Sequence, residues 1–242
     1  MADAEQNLFR PLSAATRCEL EVAPGRPLGE PGKPGELHDL TSRLALACNV
    51  FDYWREDELA PVAQALAADA RSSTLAFRKV LAIPGSLGNV DLDLLLAGEA
   101  ARPTSVFTSY AELYERPAHD LAAALVESSE AWSSLSGCRD LARDLRANPT
   151  RFEHLPVARL LEWVVALTHR FDPRGFRLVV LWYDLGDERA RRIRGELDRL
   201  RMRIGGEVDL KVLSWQRLCE RLAYNGALRG AHALYIGDRY LA

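Results

Sequence analysis

Leu75-Ala-Phe-Arg-Lys-Val-Leu-Ala-Ile83, Val90-Asp-Leu-Asp-Leu-Leu-Leu96 and Ser105-Val-Phe-Thr-Ser-Tyr110 are three short runs rich in strand formers, separated by Pro84-Gly-Ser-Leu-Gly88 and by turn residues from Gly98 to Pro103. Apolar runs of this length bounded by Gly and Pro read as strand, turn, strand, turn, strand. Side chains alternate along a strand, so the middle run is expected to show Asp91 and Asp93 on one face and Leu92, Leu94 and Leu96 on the other. Two carboxylates side by side are the oxygen-rich chemistry that a hard divalent cation takes.

Working outward, Leu40, Leu44, Ala47, Phe51 and Trp54 recur at helical intervals and predict a helix over His38 to Arg55. An Ala-rich helix is expected from Glu58 to about Ala70, with Pro61 in its first turn. Short helices follow around Asp120 to Glu127 and Cys138 to Arg146. Leu160, Leu161, Val164, Leu167 and Phe171 predict another from about Pro156 to Arg170. Phe176 to Asp184 is the most continuous apolar run and reads as a strand covered on both faces. Asp187 caps a helix striped by Ile193, Leu197, Leu200 and Ile204. Val208 to Ser214 is a further strand, Ser214 caps a helix through Leu222, and a last helix covers about Arg229 to Leu241. Late alternation of strand and helix implies parallel pairing, whereas the early strands pair antiparallel through tight turns. The fold class is α/β, a mixed sheet flanked by helices. Residues 1–35, ending in the run from Pro24 to Gly35, read as a Pro/Gly-rich arm.

The bulk numbers restrict function. A net charge of −3 with pI near 6.0 gives no overall attraction for a polyanion, so nucleic acid would need a local basic patch. Lysine occurs only at Lys33, Lys79 and Lys211, which leaves few candidates for a catalytic ammonium. Cys18, Cys48, Cys138 and Cys219 are scattered without metal spacing, and the five histidines show none either. Unpaired thiols, a start without an apolar leader and the lack of a membrane-length apolar run give a cytoplasmic expectation with no membrane partner.

Helix, three strands, helix, strand is the core order of the PD-(D/E)XK nuclease superfamily, and the chain resembles a bacterial restriction-endonuclease-like family within it. The resemblance rests on Ala45-Leu-Ala-Cys-Asn-Val-Phe-Asp-Tyr-Trp-Arg55, Ile83-Pro-Gly85 ahead of Leu92-Asp-Leu-Leu-Leu96, Gly137-Cys138 before Arg151-Phe152, Leu160-Leu161 and Leu181-Trp-Tyr-Asp184. It implies one restriction-endonuclease-like α/β domain over residues 36–242 and a Mg²⁺ site built from an Asp on the second strand and Glu-x-Lys on the third. Here Phe107 stands where that Glu belongs and Ser109 where the Lys belongs, with Thr108 between them. Arg78 replaces an acidic residue after Phe77, and Arg159-Leu-Leu-Glu162 replaces the family's Gln-Leu-Leu-Lys.

The expectation is therefore a catalytically degenerate nuclease-fold protein that needs no cofactor and acts by binding a protein partner or nucleic acid; a homodimer is also open. The alternative is an active metal-dependent nuclease with a relocated site, in which Asp91, Asp93 and Glu112 hold Mg²⁺ and Lys79 supplies the ammonium. For nucleic acid, Arg191, Arg192 and Arg199 on the helix after Asp187 form a candidate phosphate stripe, set against an ordinary solvated face laced by Glu188 to Arg192 at i, i+4.

Overall fold

The computed structural model describes residues 4–30, 32–55, 58–111 and 121–241. Five strands form one mixed sheet in the order β1-β2-β3-β4-β5: Thr74–Ala82, Asn89–Ala97, Thr104–Thr108, Arg177–Trp182 and Asp209–Ser214. The first three pair antiparallel through short turns, and β3, β4 and β5 run parallel. Parallel neighbours need a crossover. Helices α4 (Ala123–Glu127), α5 (Ser136–Ala147) and α6 (Val157–Phe171) supply the first, and α7 (Glu188–Ile204) the second.

Strand β4 shows why the sheet must be covered twice. Leu178, Val180 and Trp182 pack with α5, α6 and α7 on one side, while Val179 and Leu181 pack into the layer on the other. That second layer holds α1 (Ala14–Val22), α2 (Arg43–Phe51), α3 (Ala60–Ala65), α8 (Trp215–Tyr224) and α9 (Gly230–Ile236). Helices α1, α2 and α8 begin where a serine can satisfy a free amide. Ser13, Ser42 and Ser214 accept from the backbone N–H three residues on, and Asp187 does the same for α7. Among the described residues no helix is long and apolar enough to cross a membrane.

Several expectations change. Residues 1–35 do not form a loose arm throughout, because α1 lies inside that span. Leu8, Leu12 and Leu20 are buried with α2, and Glu19 binds the Arg55 guanidinium through both oxygens at 2.5 and 2.6 Å while accepting the Phe77 N–H. The Pro/Gly part folds on itself so tightly that a side chain at Gly35 would lie 2.2 Å from the Gly29 nitrogen. Leu40 is 66% exposed, since α2 starts only at Arg43 and the residues before it are a 3-10 turn and loop. The helix expected from Glu58 to Ala70 is confined to Ala60–Ala65.

Candidate functional site

The first two strands register from Thr74 opposite Ala97 to Ala82 opposite Asn89, with a gap where Arg78 would face Asp93. Arg78 has φ +50, a left-handed conformation that a long L side chain adopts only when its surroundings hold it. The irregularity reverses the alternation in β2. Leu92 packs toward α6, whereas Leu94 and Leu96 pack toward α2, so the three leucines do not share a face as expected.

The same irregularity concentrates charge. One Arg78 Nη lies 2.7 Å from the Asp91 carboxylate and the other 3.7 Å from Glu36, which follows the Gly29–Gly35 loop. Arg159, in the first turn of α6, lies 3.2 Å from Asp93 and 3.8 Å from Asp91. Arg43, the first residue of α2, lies 3.7 Å from both Asp93 and Glu36. Three carboxylates therefore face three guanidinium groups, and the cluster is formally neutral.

Asp93 is the anchor, with its side chain 6% exposed. One of its oxygens accepts the Thr108 backbone N–H at 2.8 Å and the Thr108 hydroxyl at 3.0 Å, which ties β2 to the end of β3. Burial pulls the Arg159 pKa below the usual guanidinium range, Asp93 and Asp91 pull it back up, and the nearby Arg43 and Arg78 oppose them. Arginine stays charged through shifts of this kind, so the pairs are ionic.

Phe107, one residue past the last registered pair of β2 and β3, Leu94 opposite Val106, is 1% exposed. Its ring meets Trp163 edge-on at 5.0 Å between centroids, and the Arg159 guanidinium lies 5.6 Å from each ring. Ser109 is buried. Its N–H donates to the Leu181 carbonyl and its carbonyl accepts the Trp215 indole N–H. Phe107 is thus a core residue and Ser109 is fixed through its backbone.

The residues present do not fit Mg²⁺. A hard cation needs several free oxygens converging at 2.0–2.1 Å. Here the carboxylates already accept from cations and from Thr108, and the adjacent strand offers an aromatic ring. Among the described residues no group of three or more His, Cys, Asp or Glu side chains is placed to hold a metal.

Of the relocated site, only Lys79 can be placed against the two aspartates. Lys79 pairs with Leu92, is exposed and makes no ion pair among the described residues; Glu112 lies outside the described residues. On α7, Arg192 bonds Glu188 at 2.8 Å, as the i, i+4 spacing predicts. Arg199 lies over the Phe152 ring and near buried Glu196, and Arg191 is exposed. The stripe exists, but acidic neighbours answer much of it. Cys48, Cys138 and Cys219 are buried, and burial raises all three thiols, Cys219 to about 12.

The sequence singles out Arg78 and Arg159 as departures from a pattern without showing that they meet Asp91 and Asp93. Glu36 and Arg43 carry no local signal at all, since only tertiary folding brings them to the cluster. No protein-family model, curated protein or solved structure matches the chain.

Proposed function

We propose that the chain is a catalytically silent protein of the PD-(D/E)XK type that acts by binding, with a protein as partner. One observation carries this reading: Arg78 and Arg159 occupy Asp91 and Asp93, the carboxylates of the second strand on which metal-dependent phosphodiester cleavage would draw. The strand order, three antiparallel strands followed by a helix and a parallel strand, supports the nuclease-type assignment. Function resides in the site rather than the fold, and here the site has been rebuilt as an ionic joint. The overall acidity and the paired charges of α7 favour a protein partner over nucleic acid.

The test is cleavage of single- and double-stranded DNA and RNA with Mg²⁺ or Mn²⁺, run beside Asp93→Ala. The expected outcome is no turnover from either protein. Turnover in the parent that disappears in the variant refutes the proposal and restores the active alternative. Anisotropy with labelled DNA across a salt series tests the choice of partner, because phosphate binding weakens steeply as salt rises. Flat titrations are expected, and salt-sensitive binding would move the assignment to nucleic acid.

A further inference from the structure

Away from the carboxylate cluster, and sharing no residue with it, a cleft of about 510 Å³ opens between α3 and α8. That volume falls within the range of small-ligand sites, about 300–1,000 Å³. Gln64 lies on one side, and Arg217, Glu220, Arg221 and Tyr224 line the other. Positions 217, 220, 221 and 224 are separated by three, four and seven residues, so α8 presents them as one stripe two turns long.

The chemistry of the stripe is graded. Tyr224 is 95% exposed and offers a free aromatic face. One turn back, Arg221 spends one Nη on the Ala65 carbonyl at 2.8 Å, which fixes the guanidinium and leaves its other N–H groups. A further turn back, Arg217 pairs with Glu220 at 2.7 Å, with both side chains more than 60% exposed. A pair this solvated is worth little and opens readily. Across the cleft, the Gln64 amide offers one donor group and one acceptor.

We infer that this cleft binds a nucleoside monophosphate. Its ring would stack on Tyr224, and its phosphate would take the two guanidinium groups, which suit planar, bidentate recognition of phosphate oxygens. Glu220, released from Arg217, accepts from the ribose hydroxyls, as acidic residues do in dinucleotide sites. Gln64 reads a base edge with its paired donor and acceptor. Tyr224 thus sets an aromatic platform one turn from Arg221 and two turns from Arg217, so that ring and anion sites adjoin along α8. Asn225 is committed to the Pro61 carbonyl and to the Ala227 N–H, so it shapes the end of the cleft rather than contacting the ligand.

The test is calorimetry on the full chain with AMP, GMP, CMP and UMP, with adenosine and inorganic phosphate as separate arms. The expected result is one-to-one binding of at least one monophosphate, with adenosine and phosphate each at least tenfold weaker. Tyr224→Ala and Arg217→Ala alter exposed side chains, and each is expected to weaken binding by about fivefold or more at unchanged melting temperature. No saturation by any monophosphate up to millimolar concentration overturns the inference. So does binding that neither variant changes, or phosphate binding as tightly as the nucleotide.

Discussion

Asp93→Asn distinguishes a structural carboxylate from a functional one. The side chain is 6% exposed, accepts two hydrogen bonds from Thr108 and faces Arg159 and Arg43. Removing one member of a buried ion pair strands the other and costs about 3–5 kcal/mol. Because 28% of the Arg159 side chain reaches water, which screens part of the stranded charge, the lower end applies and the expected loss is about 3 kcal/mol. For a chain of this length each kcal/mol moves the melting temperature by about 2–4 °C, so a fall of about 6–12 °C is expected by circular dichroism. Asp93→Asn combined with Arg159→Met removes the stranded cation and should recover most of that loss, since replacing both members of a buried pair is often near neutral. Carboxylates kept for catalysis usually act the other way, destabilising the fold so that their neutralisation raises the melting temperature. A rise in Asp93→Asn, or no recovery in the double variant, refutes the ionic joint and with it the main support for a silent site.

Phe107→Ala should cost about 3–5 kcal/mol in urea unfolding, because it opens a cavity against Trp163 and removes the ring under Arg159; a loss below 1 kcal/mol would show that Phe107 is not core. Glu196, 3% exposed, accepts the N–H groups of Glu153, His154 and Leu155, so Glu196→Ala should destabilise by at least about 2 kcal/mol and speed hydrogen exchange at those amides. Burial lowers the His232 pKa, the hydrogen bond to the Asn49 carbonyl opposes this, and Arg10 adds to the lowering. The unfolded state then takes up the proton first, so stability should fall as pH drops below about 6.5, and His232→Gln should flatten that limb of a stability–pH curve. Burial alone would raise Glu207, but the N–H groups of Gly137 and Cys138 and the Ser136 hydroxyl outweigh it and hold its pKa below the usual value. That contribution is complete above the unfolded pKa, about 4.3, and is lost as pH falls through the lower folded value; Glu207→Gln should remove this acid limb in urea titrations at pH 3–5.

Local chemistry made most of the fold legible. Pro84-Gly85 and Gly98 to Pro103 mark the two turns that make β1, β2 and β3 antiparallel, and Asp187 and Ser214 announce their helices because a cap acts over three residues. The run Leu178–Trp182 is apolar on every side chain because β4 is covered on both faces, which a single sequence displays without any partner. The N-terminal residues misled for the converse reason. Nothing near Leu8, Leu12 and Leu20 in sequence explains their burial, which depends on α2 and on Asp52 and Arg55 some forty residues away.

The candidate site divides in the same way. From sequence alone come the paired Asp91 and Asp93, together with Phe107, Ser109, Arg78 and Arg159, the positions that the resemblance sets apart. Only the tertiary structure shows those arginines neutralising those carboxylates, with Glu36 and Arg43 drawn in from a loop and a helix start. An ion pair depends on distance in space, and residues 36, 43, 78, 91, 93 and 159 become neighbours only when strand register and helix packing are both in place. The turn and strand chemistry could be read along the chain because its range is a few residues; the charge balance of the site could not, because its range is the fold.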